Sequence, residues 1–129
     1  MRYVTSRKTA EGLGAAHDGT RHHWAMTVTA VALAILTPLF MITVSRAIGL
    51  PQELVLAHFS RPFPALITGL FVIVGMVHFI KGTRIMIDDY CQGAARKAAI
   101  IASVIFGWAV IATAVYALAR MGLGAIVVL

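Results

Sequence analysis

Residues 24–45 pass without a single charged side chain. At about 1.5 Å of rise per residue they make about 33 Å of helix, enough to cross a hydrocarbon layer about 30 Å thick. Such a run has little choice of backbone. In lipid no water satisfies its N–H and C=O groups, so it must satisfy them internally as a helix. Two more apolar runs follow, from Pro64 to Ile80 and from Ala98 to about Ala119. The composition agrees: mean hydropathy is +0.87, with 60% hydrophobic and 12% charged residues. A soluble domain of 129 residues needs far more polar surface, and soluble chains average about 25% charge. Disorder needs low hydrophobicity and is excluded as well. The expected fold class is an all-α membrane protein with three transmembrane helices, which are few and suit half of a larger bundle.

The runs divide the chain. Residues 1–23 form a polar N-terminal arm, with weak helical character at 9–16. It is too long and too mixed for the leading region of a cleaved signal peptide. Residues 24–129 form the membrane domain, with spans expected at about 24–46, 64–88 and 98–120. Pro38 lies inside the first span, where a membrane bundle tolerates it. The connection carries a short surface helix at 52–59. Pro64 suits the first turn of the second span. That span continues past Ile80, through Lys81 and Arg84, to Asp88-Asp89-Tyr90.

In a soluble protein a net charge of +6 would suggest nucleic acid. Instead the basic residues flank apolar runs, which fits orientation in a membrane and no nucleic-acid partner. The arm and the second connection carry Arg2, Arg7, Lys8, Arg21, Lys81, Arg84, Arg96 and Lys97. The opposite side carries Arg46, Arg61 and Arg120. Eight against three puts the N-terminus in the cytoplasm. The single Cys91 forms no intrachain disulfide and no CxxC metal site.

His78 is the most informative residue. It sits about 14 residues after Pro64, near the middle of the crossing, where an ionisable side chain is costly and a functional candidate by default. A neutral imidazole has one free nitrogen lone pair and suits a haem iron. A histidine tethered by a hydrogen bond to a neighbouring helix is the plain alternative. Gly75 and Gly82, at i−3 and i+4, share its face. They offer either a flat shelf for a planar macrocycle or a small-residue helix contact.

Asp89 follows His78 by eleven residues. On a regular helix that is about 20° past three full turns and about 16 Å further along. With Tyr90 it could bind and protonate a polar headgroup such as a quinone. An interfacial tyrosine and a hydrated helix end would look the same. Arg21, His22, His23 and Trp24 stand where the first helix enters the membrane. Trp24 is an interface anchor, and the adjacent histidines point about 100° apart, too far for a shared metal site. Contact with a propionate or with a soluble partner suits these histidines better. His17 and His58 read as solvated, and the third span, with Gly107 and Trp108, as packing. No P-loop, GxGxxG, HExxH or GxSxG is present, so the chain is not expected to perform substrate chemistry alone.

The stretch Val77-His78-Phe79-Ile80-Lys81-Gly82 through Ile87-Asp88-Asp89-Tyr90 resembles the hydrophobic membrane-anchor (D-type) subunits of succinate dehydrogenase, complex II. In that family one helix carries a haem b axial histidine, a glycine one turn later, and an Asp-Tyr pair 11 and 12 residues on. His78, Gly82, Asp89 and Tyr90 match. The start of the first helix, Gly19-Thr20-Arg21-His22-His23-Trp24 followed by Val28-Thr29-Ala30-Val31-Ala32-Leu33, is similar to alphaproteobacterial members. The resemblance implies half of a heterodimeric haem-binding bundle in the bacterial inner membrane, with haem b as cofactor and ubiquinone as substrate. It implies three partners: a cytochrome b (C-type) membrane subunit, an iron–sulfur subunit and a flavoprotein subunit. His78 would be one axial ligand, and Tyr90 would hydrogen-bond a quinone carbonyl in a site shaped by Asp89. The chain departs from many relatives at Ala25-Met26-Thr27, where they place an arginine near the propionates; Arg21 or His22 would take that part. A fumarate reductase anchor, a haem-free scaffold or assembly protein, and a small oligomeric transporter are the competing readings. A transporter would be expected to show more midplane charge than His78 alone.

Overall fold

A computed structural model describes residues 5–12 and 18–127. They form five helices: α1 (Ser6–Glu11), α2 (Asp18–Ser45), α3 (Gln52–Phe59), α4 (Pro62–Tyr90) and α5 (Gly93–Val127). No strand occurs among the described residues. Three stretches are long and apolar enough to cross a membrane: Thr20–Ser45, Pro62–Tyr90 and Gly93–Gly124. Each extends a few residues beyond the span expected from hydropathy, because backbone hydrogen bonding continues after the apolar run stops. Of the helix expected weakly at 9–16, residues 9–11 belong to Ser6–Glu11, which is capped by Thr5 Oγ1 accepting from the Lys8 N–H at 3.2 Å. Residues 13–16, and His17 after them, lie outside the described residues.

The spans form a row. α2 and α5 both pack on α4, and among the described residues they do not touch each other. The neighbours run antiparallel. Along α2 and α4, Leu33 lies against Gly75, Thr29 against His78 and Met26 against Gly82. Along α4 and α5, Leu118 lies against Gly69, and Ile80 against Gly107. α4 therefore has a helix on each flank, and its two ends sit at opposite ends of the bundle.

The distribution of side chains is inside out by the standards of a soluble protein. Val28, Val31 and Ile35 of α2 and Ile101, Ile105 and Trp108 of α5 are exposed, and few side chains are buried. Such a surface is a liability in water. In lipid it is ordinary, because acyl chains are as apolar as leucine and burying leucine gains little.

α3 closes the Pro62 end of the bundle, packing on α4 and α5. Here His58 is not simply solvated. The Ala47 N–H turns back to the Val44 carbonyl, leaving the Thr43 carbonyl at the end of α2 without a backbone donor. His58 is half-buried and supplies one, with Nε2–H donating to Thr43 O at 3.1 Å. A helix end must find such partners wherever water is scarce.

Candidate functional site

α4 is unbroken from Pro62 to Tyr90, because after Pro64 no proline removes a ladder donor. His78 therefore stands near the middle of a 29-residue helix. Its ring leans toward α2, with Nδ1 2.8 Å from Thr29 Oγ1. Nε2 makes no hydrogen bond among the described residues. One nitrogen is held and the other is uncommitted. Among the described residues no three His, Cys, Asp or Glu side chains cluster as a metal site. Among the described residues His78 therefore belongs to no cluster of three such donors.

Gly75 and Gly82 face α2. A Cβ on Gly82 would lie 3.6 Å from Met26 Cε, and one on Gly75 would lie 3.8 Å from Leu33 Cδ2. The helix-contact reading accounts for both. The glycines thin α4 on either side of His78, so that α2 comes within reach of the imidazole through Thr29.

Thr29 stands in the stretch that carries the resemblance, but the sequence alone assigns it no role. Its Oγ1 also lies 2.9 Å from the Ala25 carbonyl and 3.0 Å from the Met26 carbonyl. One signal for it exists. Met26, Thr29 and Leu33 share one stripe of α2 at three- and four-residue spacing. His22, one turn before Met26, extends the stripe toward the Tyr90 end of α4. Its Nε2 is a buried polar atom without a hydrogen-bond partner in the structure. Buried polar atoms are almost always paired, so this nitrogen is an exception among the described residues. Arg21 beside it is exposed.

At its last turn α4 sorts its three polar residues. Asp88 accepts from Arg96 Nε of α5 at 2.7 Å and lies 3.9 Å from Arg84 Nε. Asp89 and Tyr90 are exposed, Tyr90 to 85%, and neither makes a hydrogen bond or ion pair among the described residues. The intact helix keeps Asp89 within about 20° of His78 in azimuth and about 16 Å along the axis. One face of α4 thus presents an imidazole at mid-depth and a free carboxylate near its end, with a phenol next to it. Asp88 is spent on tying α4 to α5.

The family model described as the succinate dehydrogenase/fumarate reductase transmembrane subunit matches residues 1–118. The hydrophobic membrane anchor subunit of succinate dehydrogenase from Paracoccus denitrificans is 83% identical over 129 residues, covering the whole of both chains. No solved structure matches.

Proposed function

The chain belongs to the family of succinate dehydrogenase and fumarate reductase transmembrane subunits, and on that premise we propose that it supplies one axial ligand of haem b and part of a ubiquinone-reducing site. It is a multi-pass protein of the bacterial inner membrane. Its proposed partners are a cytochrome b membrane subunit and the iron–sulfur and flavoprotein subunits that oxidise succinate. The proposed orientation puts the N-terminus and the Tyr90 end of α4 in the cytoplasm, following the excess of Lys and Arg there.

The observation that carries the reading is the half-committed imidazole of His78. The donor set fits haem: one nitrogen is free to meet iron, and among the described residues no three-ligand cluster competes for a metal. Bound haem b supplies a one-electron store within the membrane. The residues of this chain do the rest. His78 would hold the iron from the α4 side. His22, with its unpartnered Nε2, and Arg21 would meet the propionates, and Gly75 and Gly82 would let α2 close over the histidine. At the end of α4 the Tyr90 hydroxyl would donate to a quinone carbonyl. Asp89, exposed to water, would pass protons as the quinone takes up its two electrons and two protons. Electrons would arrive from the iron–sulfur subunit.

The haem-free scaffold is favoured by one observation, since a tether to α2 would also pair His78 with Thr29. Optical spectra of the complex purified through this chain separate the two. A b-type haem is expected in the wild type and its loss in His78→Ala. A colourless wild type, or a His78→Ala complex with full haem content, defeats the haem assignment. Tyr90→Phe is expected to lower the rate of quinone reduction about tenfold, as for one lost hydrogen bond, with haem content unchanged. An unchanged rate removes the phenol from the site.

A further inference from the structure

We infer that Thr29 is a positioning residue for His78: its hydroxyl fixes the imidazole tautomer that leaves Nε2 with the lone pair. The inference rests on the reading of His78 as a haem ligand and adds a residue from a different helix.

The argument is an inventory of protons. Thr29 Oγ1 has three polar neighbours: the carbonyls of Ala25 at 2.9 Å and Met26 at 3.0 Å, and His78 Nδ1 at 2.8 Å. It has one proton to give. The two carbonyls can only accept, and a helical threonine commonly donates back to the i−3 and i−4 carbonyls. With the proton shared between them, the oxygen presents a lone pair to Nδ1. The contact is then a hydrogen bond in which Nδ1–H donates. The opposite tautomer would put the proton on Nε2, which has no acceptor among the described residues. A donor left unpaired inside a membrane span is costly. The chain from Nδ1–H to Oγ1–H to the α2 carbonyls satisfies every donor, and it leaves Nε2 basic.

Metal-binding histidines are typically oriented by such a partner on the other nitrogen, and loss of the partner typically weakens metal binding 10- to 100-fold. Here the partner is a neutral hydroxyl, and it sits on α2 while the ligand sits on α4. Ring orientation therefore depends on the closeness of the two helices at Gly75 and Gly82.

The test uses the intact complex and compares Thr29→Val, Thr29→Ser and His78→Ala. Haem release is read by transfer to excess apomyoglobin, alongside the electron paramagnetic resonance spectrum of the oxidised haem and its midpoint potential. Thr29→Val is expected to release haem at least about tenfold faster, to shift the largest g value, and to raise the potential because the imidazole becomes a weaker donor. Thr29→Ser keeps the hydroxyl and should restore all three. Thr29→Ala reads the same quantities if the valine variant does not assemble. Wild-type release and wild-type spectra in Thr29→Val or Thr29→Ala overturn the role of Thr29, as does a serine variant that behaves like valine. If His78→Ala keeps its haem, the ligand reading itself fails, whatever Thr29 does.

Discussion

α4 is held by a different kind of seam on each side. Toward α5 the contact is close and apolar. A Cβ on Gly107 would stand 2.6 Å from Ile80 Cδ1 and 2.7 Å from its Cγ1, so the α5 backbone all but rests on the isoleucine. Phe79 and Phe106 meet edge to face at 6.0 Å. Among the described residues the one side-chain hydrogen bond across this seam is Arg96 to Asp88, at its end. Toward α2 the glycines have slack, Phe40 and Phe71 stack at 4.0 Å, and a polar bridge joins Thr29 to His78 at mid-depth. With lipid on the outside, apolar side chains gain little by leaving it, so helices associate through close packing and polar contacts. The α5 seam uses the first means and the α2 seam also uses the second. The difference is one of means: one flank holds α4 by close packing along most of its length, and the other adds a polar contact at His78.

Three substitutions sharpen that contrast. The largest effect is expected at the tight seam. Gly107→Ala forces Ile80 aside and should destabilise the chain by about 1–3 kcal/mol, as overpacking does. Unfolding in mixed detergent micelles should show this, and the proposed haem, in whatever complex assembles, should keep a wild-type spectrum. An unaltered unfolding curve would mean that the α5 seam is looser than the structure shows. His58→Ala comes next. It strips the donor from the Thr43 carbonyl and should cost about 1 kcal/mol, read as faster hydrogen exchange at the end of α2 and in α3. The smallest effect belongs to Gly82→Ala. Its new methyl would sit at an ordinary 3.6 Å from Met26 Cε, so the unfolding midpoint should move by no more than about 0.5 kcal/mol. A large loss there would show that α2 is packed as tightly as α5 and would dissolve the distinction.

Much of this was legible beforehand. The three spans follow from hydropathy, and the surface helix expected at 52–59 is α3, Gln52–Phe59. The eleven-residue step from His78 to Asp89 needed only a regular helix, which α4 provides. Other features were not legible. Thr29 shares a stripe with Met26 and Leu33, but hydropathy does not say which stripe of α2 meets α4, and Thr27 and Thr37 also donate to carbonyls of their own helix. Asp88 and Asp89 are neighbours in the sequence, yet one is taken by Arg96 and the other is open. The partner of His58 lies 15 residues back, at a helix end whose position depends on where α2 frays.

The sequence by itself determined that the chain crosses the membrane three times, which ends of the spans are most basic, and which single imidazole lies at mid-depth. Length and polarity suffice for this, since a backbone in lipid has only the helix open to it. The tertiary structure decided which faces meet: that α4 is central, that Gly75 and Gly82 admit α2, and that Thr29 reaches His78. The reason is the solvent. In water a core-facing stripe is apolar and its opposite face polar, so the pattern announces the facing. In lipid both faces are apolar, and the register of one helix on another is written in shape and in a few hydrogen bonds, which become visible only once the helices are side by side.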